Sequence, residues 1–196
     1  MEVVNLKFLI LAYLALYWTI YFHELGHSYV YKKYGCKKEF FMKVTVPWTL
    51  LFSSPLPIDE EKSKRLTDKQ NLNIAMAGVL VNLVFALFTA IPLLFIKITT
   101  EVNIMFLYLI CIFNLAQASS YLFINNIFLA SDMKIIANIN PKLRILGLII
   151  GLITSVGLVY FITLAPMEFS ILTIISTVVI VICMSLGRVI YDKNHN

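Results

Sequence analysis

Charged residues are scarce in this chain of 196 residues: they make up 14% of the sequence, whereas 60% of the residues are hydrophobic. A soluble globular domain carries about a quarter charged residues and about half apolar ones. The shortage of charge therefore excludes an ordinary soluble protein and predicts an all-α polytopic membrane protein. At roughly 20 residues per span, the length allows about five transmembrane helices and leaves little for a soluble domain. We expect a single membrane domain over residues 1–196.

Cysteine is also scarce, and its distribution excludes a disulfide framework. Cys36, Cys111 and Cys183 lie far apart and form no CxxC pair. The chain has only 7 glycines and 6 prolines, while isoleucine, asparagine and lysine are abundant, which favours an AT-rich bacterial genome. No signal-peptide cleavage pattern separates from the first apolar segment. We therefore expect a multi-pass protein of a bacterial cell membrane.

Long apolar runs stand where charge is missing. Five of them are long enough to cross a bilayer, at about residues 6–31, 72–96, 103–131, 145–164 and 169–186. In the connection between the first two, residues 40–58 are apolar but interrupted by three prolines. Residues 44–48 combine β-branched and aromatic side chains, which suit an extended segment at the membrane interface. We predict a short re-entrant or β-like element there, with a loop resting on the membrane surface as the alternative.

The basic residues that give the chain its net charge of +5 alternate in number between successive flanks of the spans. From the N-terminus onward, the six flanks of the five spans carry one (Lys7), nine, one, three, no and two Lys or Arg residues. Basic residues concentrate on the cytoplasmic side, so this alternation predicts an N-terminus outside the cell and a cytoplasmic C-terminus. It also explains the positive charge without a nucleic-acid partner.

One short motif inside the first span carries chemistry: His23-Glu24-Leu25-Gly26-His27. Metal-binding and acidic residues are costly in hydrocarbon, so their presence there indicates function. Two histidines four positions apart share one face of a helix and can bind the same metal ion. The glutamate beside the first histidine can then act as general base. A chance match on a soluble helix is the alternative.

A catalytic zinc ion typically has three protein ligands, and Asp132 is our choice for the third. The preceding residues are unusually polar for a span, which predicts that they face protein or water. The alternation of charge places Asp132 at the same cytoplasmic end as His27. Other candidates lie at the chain terminus, across the membrane or in the first cytoplasmic loop: His195, Glu101, Glu168, Asp59, Glu60, Glu61 and Asp68. A charge at the lipid headgroups is the alternative for Asp132.

Three blocks within residues 10–136 resemble the site-2 proteases, the intramembrane zinc metalloproteases of peptidase family M50. Residues 23–27, followed by Gly35, look like the HExxH helix and its trailing glycine. Residues 77–82 are similar to the pattern A-G-P-x-x-N, with Val79 in place of proline. Residues 125–132 fall where that family has an Asn- and Pro-containing segment ending in Leu-Asp-Gly. Here the prolines are absent, and Ser131-Asp132-Met133 replaces that ending.

The resemblance implies a catalytic core at about residues 5–136, accessory helices at about 145–190 and one zinc ion per chain. His23, His27 and Asp132 would hold the zinc, and Glu24 would be the catalytic base. Asn82 and Asn126 would contact the substrate backbone or the oxyanion, with Asn125 as an alternative to Asn126.

The implied substrate is a membrane-spanning protein or peptide, cleaved in or near its span close to the cytoplasmic side. The substrate has to be extended at the scissile bond, and the element at 44–48 could receive it by main-chain pairing. The sequence shows no appended module for regulation, which suggests a regulatory membrane protein as a further partner.

Other functions fit less well. A membrane protease that takes a later glutamate as third ligand lacks such a glutamate on the cytoplasmic side. A transporter would need polar residues in the last two spans. The main alternative is a catalytically silent membrane scaffold or immunity-type protein that keeps the metalloprotease fold, but such a protein would not need Glu24.

Overall fold

The computed structural model describes residues 2–38, 43–50 and 53–194, and the side chains among them from 6 to 185. Most of the described residues are helical, and they form no strand. The chain is therefore an all-α polytopic membrane protein, as predicted. Its eight α-helices in the described residues are α1 Glu2–Lys33, α2 Glu60–Ser63, α3 Asp68–Leu93, α4 Val102–Ser119, α5 Asn125–Phe128, α6 Asp132–Ile139, α7 Pro141–Thr163 and α8 Ser170–Asn194.

Four apolar stretches are long enough to cross a membrane: Leu6–Lys33, Asp68–Leu93, Val102–Phe128 and Pro141–Thr163. They match the first four predicted spans to within about four residues at each end. The fifth predicted span corresponds to α8, whose apolar part among the described side chains, Ser170–Ser185, is shorter. The described part of the chain thus contains four candidate spans and a fifth, shorter apolar helix.

Helix α4 lies at the centre of the bundle. Over 18 apolar residues of the candidate span that begins with α4, 72% of the residues are buried. The corresponding fraction is 28–39% in the other three candidate spans. Two polar side chains on α4 bond to neighbouring helices: Asn114 Nδ2 donates to Thr19 Oγ1 of α1 at 3.2 Å, and Ser119 Oγ donates to Thr154 Oγ1 of α7 at 3.2 Å. Gln117 of α4 is also buried. The polar second half of the third span therefore faces protein, as predicted.

The chain becomes irregular after α4. A π-helix, Ser120–Ile124, leads into α5. Leu129 and Ser131 then adopt positive φ angles of 51° and 54° before α6 begins at Asp132. Side chains rarely tolerate this backbone conformation, so the helix stops and restarts. The interruption thus extends from Ser120 to Ser131 and includes one short α-helix, α5.

The connection between α1 and α3 contains one isolated antiparallel bridge among its described residues, between Thr45 and Ser54. Their backbone N–H and C=O groups exchange two hydrogen bonds of 2.9 Å. This bridge is all that the described part shows of the predicted β-like element, and residues 39–42 and 51–52 lie outside that part.

Candidate metal centre

Helix α1 places the two motif histidines one turn apart on the same buried face. His23 and His27 are 0% and 6% exposed. Their Nε2 atoms lie 3.2 Å apart. The spacing of four residues therefore does what the sequence predicted: it points two imidazole nitrogens at one position.

Two glycines allow α3 to approach this face of α1. A Cβ atom at Gly26 would lie 2.8 Å from the carbonyl oxygen of Ala77. A Cβ atom at Gly78 would lie 2.4 Å from His27 Nε2 and 2.6 Å from His23 Cε1. A larger residue at position 78 would therefore occupy the space of the histidine rings.

Helix α3 also contacts the second nitrogen of each histidine. His27 Nδ1 lies 2.7 Å from the carbonyl oxygen of Ile74. A carbonyl only accepts hydrogen bonds, so Nδ1 donates and the Nε2 lone pair is left for a metal. His23 Nδ1 lies 3.1 Å from the side-chain amide of Asn82. Such contacts to the second nitrogen orient a metal-binding histidine.

Asp132 closes the group from the other side. It is the first residue of α6, and its Oδ2 lies 3.5 Å from His27 Nε2. One ligand atom from each of His23, His27 and Asp132 lies within 4.8 Å of the other two. The structure thus brings together the three residues that the sequence analysis chose as ligands, although they come from two segments more than 100 positions apart.

These distances can be compared with what zinc requires. Bonds of about 2.0–2.1 Å in a tetrahedral site separate neighbouring ligand atoms by about 3.3–3.4 Å. Two of the three separations, 3.2 Å and 3.5 Å, lie close to that value, and no two of the ligand atoms are more than 4.8 Å apart. Two imidazoles and one carboxylate also form a ligand set known from catalytic zinc sites. The residues therefore fit a zinc ion that keeps a fourth position for water.

Glu24 lies beside the group and is 3% exposed. Ser53 Oγ donates to its Oε1 at 2.9 Å. A cavity of about 190 Å³ reaches these residues, and its lining includes Glu24, His27, Ser53 and Asp132. The carboxylate, the ligand set and the cavity thus meet at one place, as a general base beside a metal requires.

Residues 11–194 match the family model of peptidase family M50. The chain belongs to peptidase family M50. At the level of the family, this membership supports an intramembrane metalloprotease. No curated protein and no solved structure matched the chain.

The loop of this M50 chain that carries Ser53 is held in place by a buried lysine. Lys37 is 5% exposed, and its Nζ donates to the carbonyl oxygens of Lys43 and Pro55, the latter at 2.7 Å. A buried ammonium group requires such partners. Lys37 therefore ties together the two described ends of the loop and holds Ser53 against Glu24.

The two predicted substrate-binding asparagines lie in different places. Asn82 contacts His23. Asn126 is directed towards α7: its Nδ2 donates to the carbonyl oxygen of Arg144 at 2.9 Å, and Arg144 Nε donates to its Oδ1 at 3.2 Å. Its alternative, Asn125, donates to the carbonyl oxygen of Met184 in α8 at 3.3 Å. The structure does not place Asn125 or Asn126 with the histidines, and their role towards substrate stays a prediction.

The sequence analysis did not single out two residues of the site. One is Ser53, because nothing in residues 40–58 marks one serine as the partner of Glu24. The other is Tyr121 in the π-helix, whose ring lies 4.7 Å from the His23 ring at an angle of 31°. The only available signal for Tyr121 was its place in the polar half of the third span.

Proposed function

We propose that this chain is an intramembrane zinc metalloprotease that hydrolyses a peptide bond in or near the membrane span of a protein or peptide. The observation that carries the proposal is the convergence of His23, His27 and Asp132 beside Glu24. Burying histidine and acidic residues inside candidate spans costs free energy, so their presence there indicates a function. Membership of family M50 supports the same class of reaction.

The three ligand residues hold the ion, and Glu24 moves the proton. When bound, zinc supplies an activated water and a Lewis acid for the scissile carbonyl. The Glu24 carboxylate takes one proton from water as the new C–O bond forms. It then delivers that proton to the leaving amine as the C–N bond breaks. Ser53 orients the carboxylate through its hydrogen bond to Oε1.

The substrate is proposed to enter in an extended conformation. The peptide groups of a helix are already hydrogen-bonded to each other, so the scissile bond has to leave its helix first. The cavity beside Glu24 reaches the loop that contains the bridge between Thr45 and Ser54. A backbone in this conformation suits main-chain pairing with an extended peptide.

We place the protein in a bacterial cell membrane with its N-terminus outside. The alternation of Lys and Arg residues supports this orientation. It puts the carboxyl end of α1, with Lys32 and Lys33, on the cytoplasmic side. The site then opens near the cytoplasm, where cleavage would release a soluble product. A regulatory membrane protein is proposed as a further partner.

The test is cleavage by purified chain in liposomes that carry zinc and a library of single-span peptides. Products are identified by mass spectrometry, and bound zinc is measured in the same sample. Glu24→Gln should keep the zinc and lose cleavage by at least about a hundredfold. Glu168→Gln, in the loop between α7 and α8, is the matched control and should cleave normally.

Two results would overturn the proposal. One is a Glu24→Gln variant that cleaves at the normal rate. The other is a zinc-loaded, folded chain that cleaves no member of the library, which would favour the catalytically silent scaffold.

A further inference from the structure

We propose that Asn82 is a positioning residue that selects the tautomer of His23, so that Nε2 of this histidine can bind metal. The inference rests on the zinc site proposed above and gives Asn82 a role towards a ligand rather than towards substrate. It starts from the contact of 3.1 Å between the Asn82 amide and His23 Nδ1, both within side chains that are 0% exposed.

The two histidines differ in what fixes their second nitrogen. For His27 the partner is the backbone carbonyl of Ile74, which can only accept a hydrogen bond. That contact fixes the proton on Nδ1 permanently. For His23 the partner is a carboxamide, which offers a donor and an acceptor. The tautomer of His23 therefore depends on which end of the Asn82 amide faces it.

The structure has the donor end facing His23. Asn82 Nδ2 lies towards Nδ1, and Asn82 Oδ1 is buried without a hydrogen-bond partner among the described residues. In this arrangement Nδ1 accepts, so the proton of a neutral ring is on Nε2. That nitrogen faces His27 Nε2 at 3.2 Å. Nε2 cannot bind a cation while it carries a proton.

A half-turn about the Cβ–Cγ bond of Asn82 exchanges its amide nitrogen and oxygen. Oδ1 then accepts from Nδ1–H, and the lone pair of His23 Nε2 becomes available to a cation. The exchange needs no movement of either helix, because the two ends of a carboxamide have nearly the same size. Meanwhile the Tyr121 ring, 4.7 Å from the His23 ring, keeps the imidazole plane in position. Asn82 can thus serve His23 in both states.

Zinc affinity of three variants provides the first test. Asn82→Leu removes the acceptor and should weaken zinc binding by about 10–100-fold, the usual cost of losing such a partner. Asn82→Asp keeps an acceptor and should retain most of the affinity. The matched control is Asn114→Leu, which removes another buried amide at the α1 interface that contacts Thr19 rather than a histidine. This control should bind zinc normally.

The protonation of His23 provides a second test, and it needs no variant at position 82. The chain has three histidines, so replacing His195 leaves only His23 and His27 in the ¹⁵N spectra of histidine-labelled protein. The zinc-loaded chain should show His23 with a protonated Nδ1 and a metal-bound Nε2.

Any of four results would overturn the inference. Three concern zinc affinity: a normal value in Asn82→Leu, an equal loss in Asn114→Leu, or an Asn82→Asp variant that binds zinc no better than Asn82→Leu. The fourth is an unprotonated His23 Nδ1 in the zinc-loaded chain. None of these measurements involves cleavage. A chain that passes them without cleaving any peptide would reject the proposed protease and leave the role of Asn82 intact.

Discussion

The two halves of the metal centre are built in different ways. In the histidine half, the uninterrupted helix α1 carries both rings and packs against α3. Helix α3 contacts the second nitrogen of each ring. The aspartate half follows an interruption, because Leu129 and Ser131 have positive φ angles just before Asp132. Asp132 is also less buried, with 17% of its side chain exposed against 8% for His27.

The two halves therefore differ in how tightly the positions of their ligand residues are constrained. The histidines are confined by helix packing, since even one added carbon at Gly78 would overlap them. Asp132 depends on a segment that packs against both α3 and α7. A Cβ atom at Gly151 would lie 2.7 Å from the backbone of Leu122, and Arg144 contacts Asn126. Helix α7 therefore helps to position the aspartate half, whereas α3 contacts both halves.

The largest expected effect comes from disturbing the histidine half. Gly78→Ala places a carbon 2.4 Å from the present position of His27 Nε2, so the ring has to move and stoichiometric zinc binding should be lost. Zinc content of the purified variant measures this. Gly157→Ala is the matched control, because its added carbon meets Leu115 at an ordinary 3.9 Å. Normal zinc content in Gly78→Ala would show that the contact between α1 and α3 is not confining.

Removing Asp132 tests the other half and should have a smaller effect. Asp132→Ala leaves both histidines in place, so zinc should still bind. Losing a residue that hydrogen-bonds a metal ligand costs roughly 10–100-fold in affinity. Losing the ligand Asp132 itself should reduce the zinc affinity by more than that. Competition with a chelator measures the affinity. Glu61→Ala, an exposed acidic residue of α2, should leave it unchanged. If Asp132→Ala behaves like Glu61→Ala, the aspartate half is not part of the site.

A third prediction concerns the loop, which belongs to neither half. Ser53→Ala removes the donor to Glu24 Oε1, a bond to a charged group worth about 1.5–3 kcal/mol. Cleavage should slow by about tenfold or more at unchanged zinc content. Ser54→Ala is the control, because that residue contributes its backbone to the bridge with Thr45. Equal rates for both variants would deny Ser53 any part in orienting the base.

The smallest effect should come from relaxing the interruption itself. Ser131 has a φ of 54° and a ψ of −140°, a combination that glycine adopts at little cost. Ser131→Gly should raise the midpoint of thermal unfolding by about 2–4 °C, as a gain of about 1 kcal/mol implies. Ser155→Gly, inside α7, should lower it, because glycine destabilises a helix. A lower midpoint for Ser131→Gly would mean that the serine side chain stabilises this turn.

The histidine half and the aspartate half also differ in how far each could be predicted from the sequence. The histidine pair was readable because helical spacing fixes which side chains share a face. Asp132 was found from its depth, its side of the membrane and its polar surroundings. Ser53 could not be predicted, because its contact with Glu24 depends on the path of a loop. Asn82 was predicted from the pattern at residues 77–82, but as a substrate contact, because its contact with His23 depends on the rotation of α3 against α1. The π-helix also shifts the residues after Ser119 around the axis, which periodicity alone does not reveal.

The central claim is that both halves bind one ion, and X-ray absorption at the zinc edge of an Asp132→Cys variant tests it most directly. A thiolate at this position would add sulfur at about 2.3 Å to a first shell that otherwise holds imidazole nitrogens at about 2.0–2.1 Å. We expect this sulfur signal together with two imidazoles in Asp132→Cys. We expect no sulfur in the unmodified chain or in Glu61→Cys. A zinc shell without sulfur in Asp132→Cys, or without two imidazoles in the unmodified chain, would contradict it.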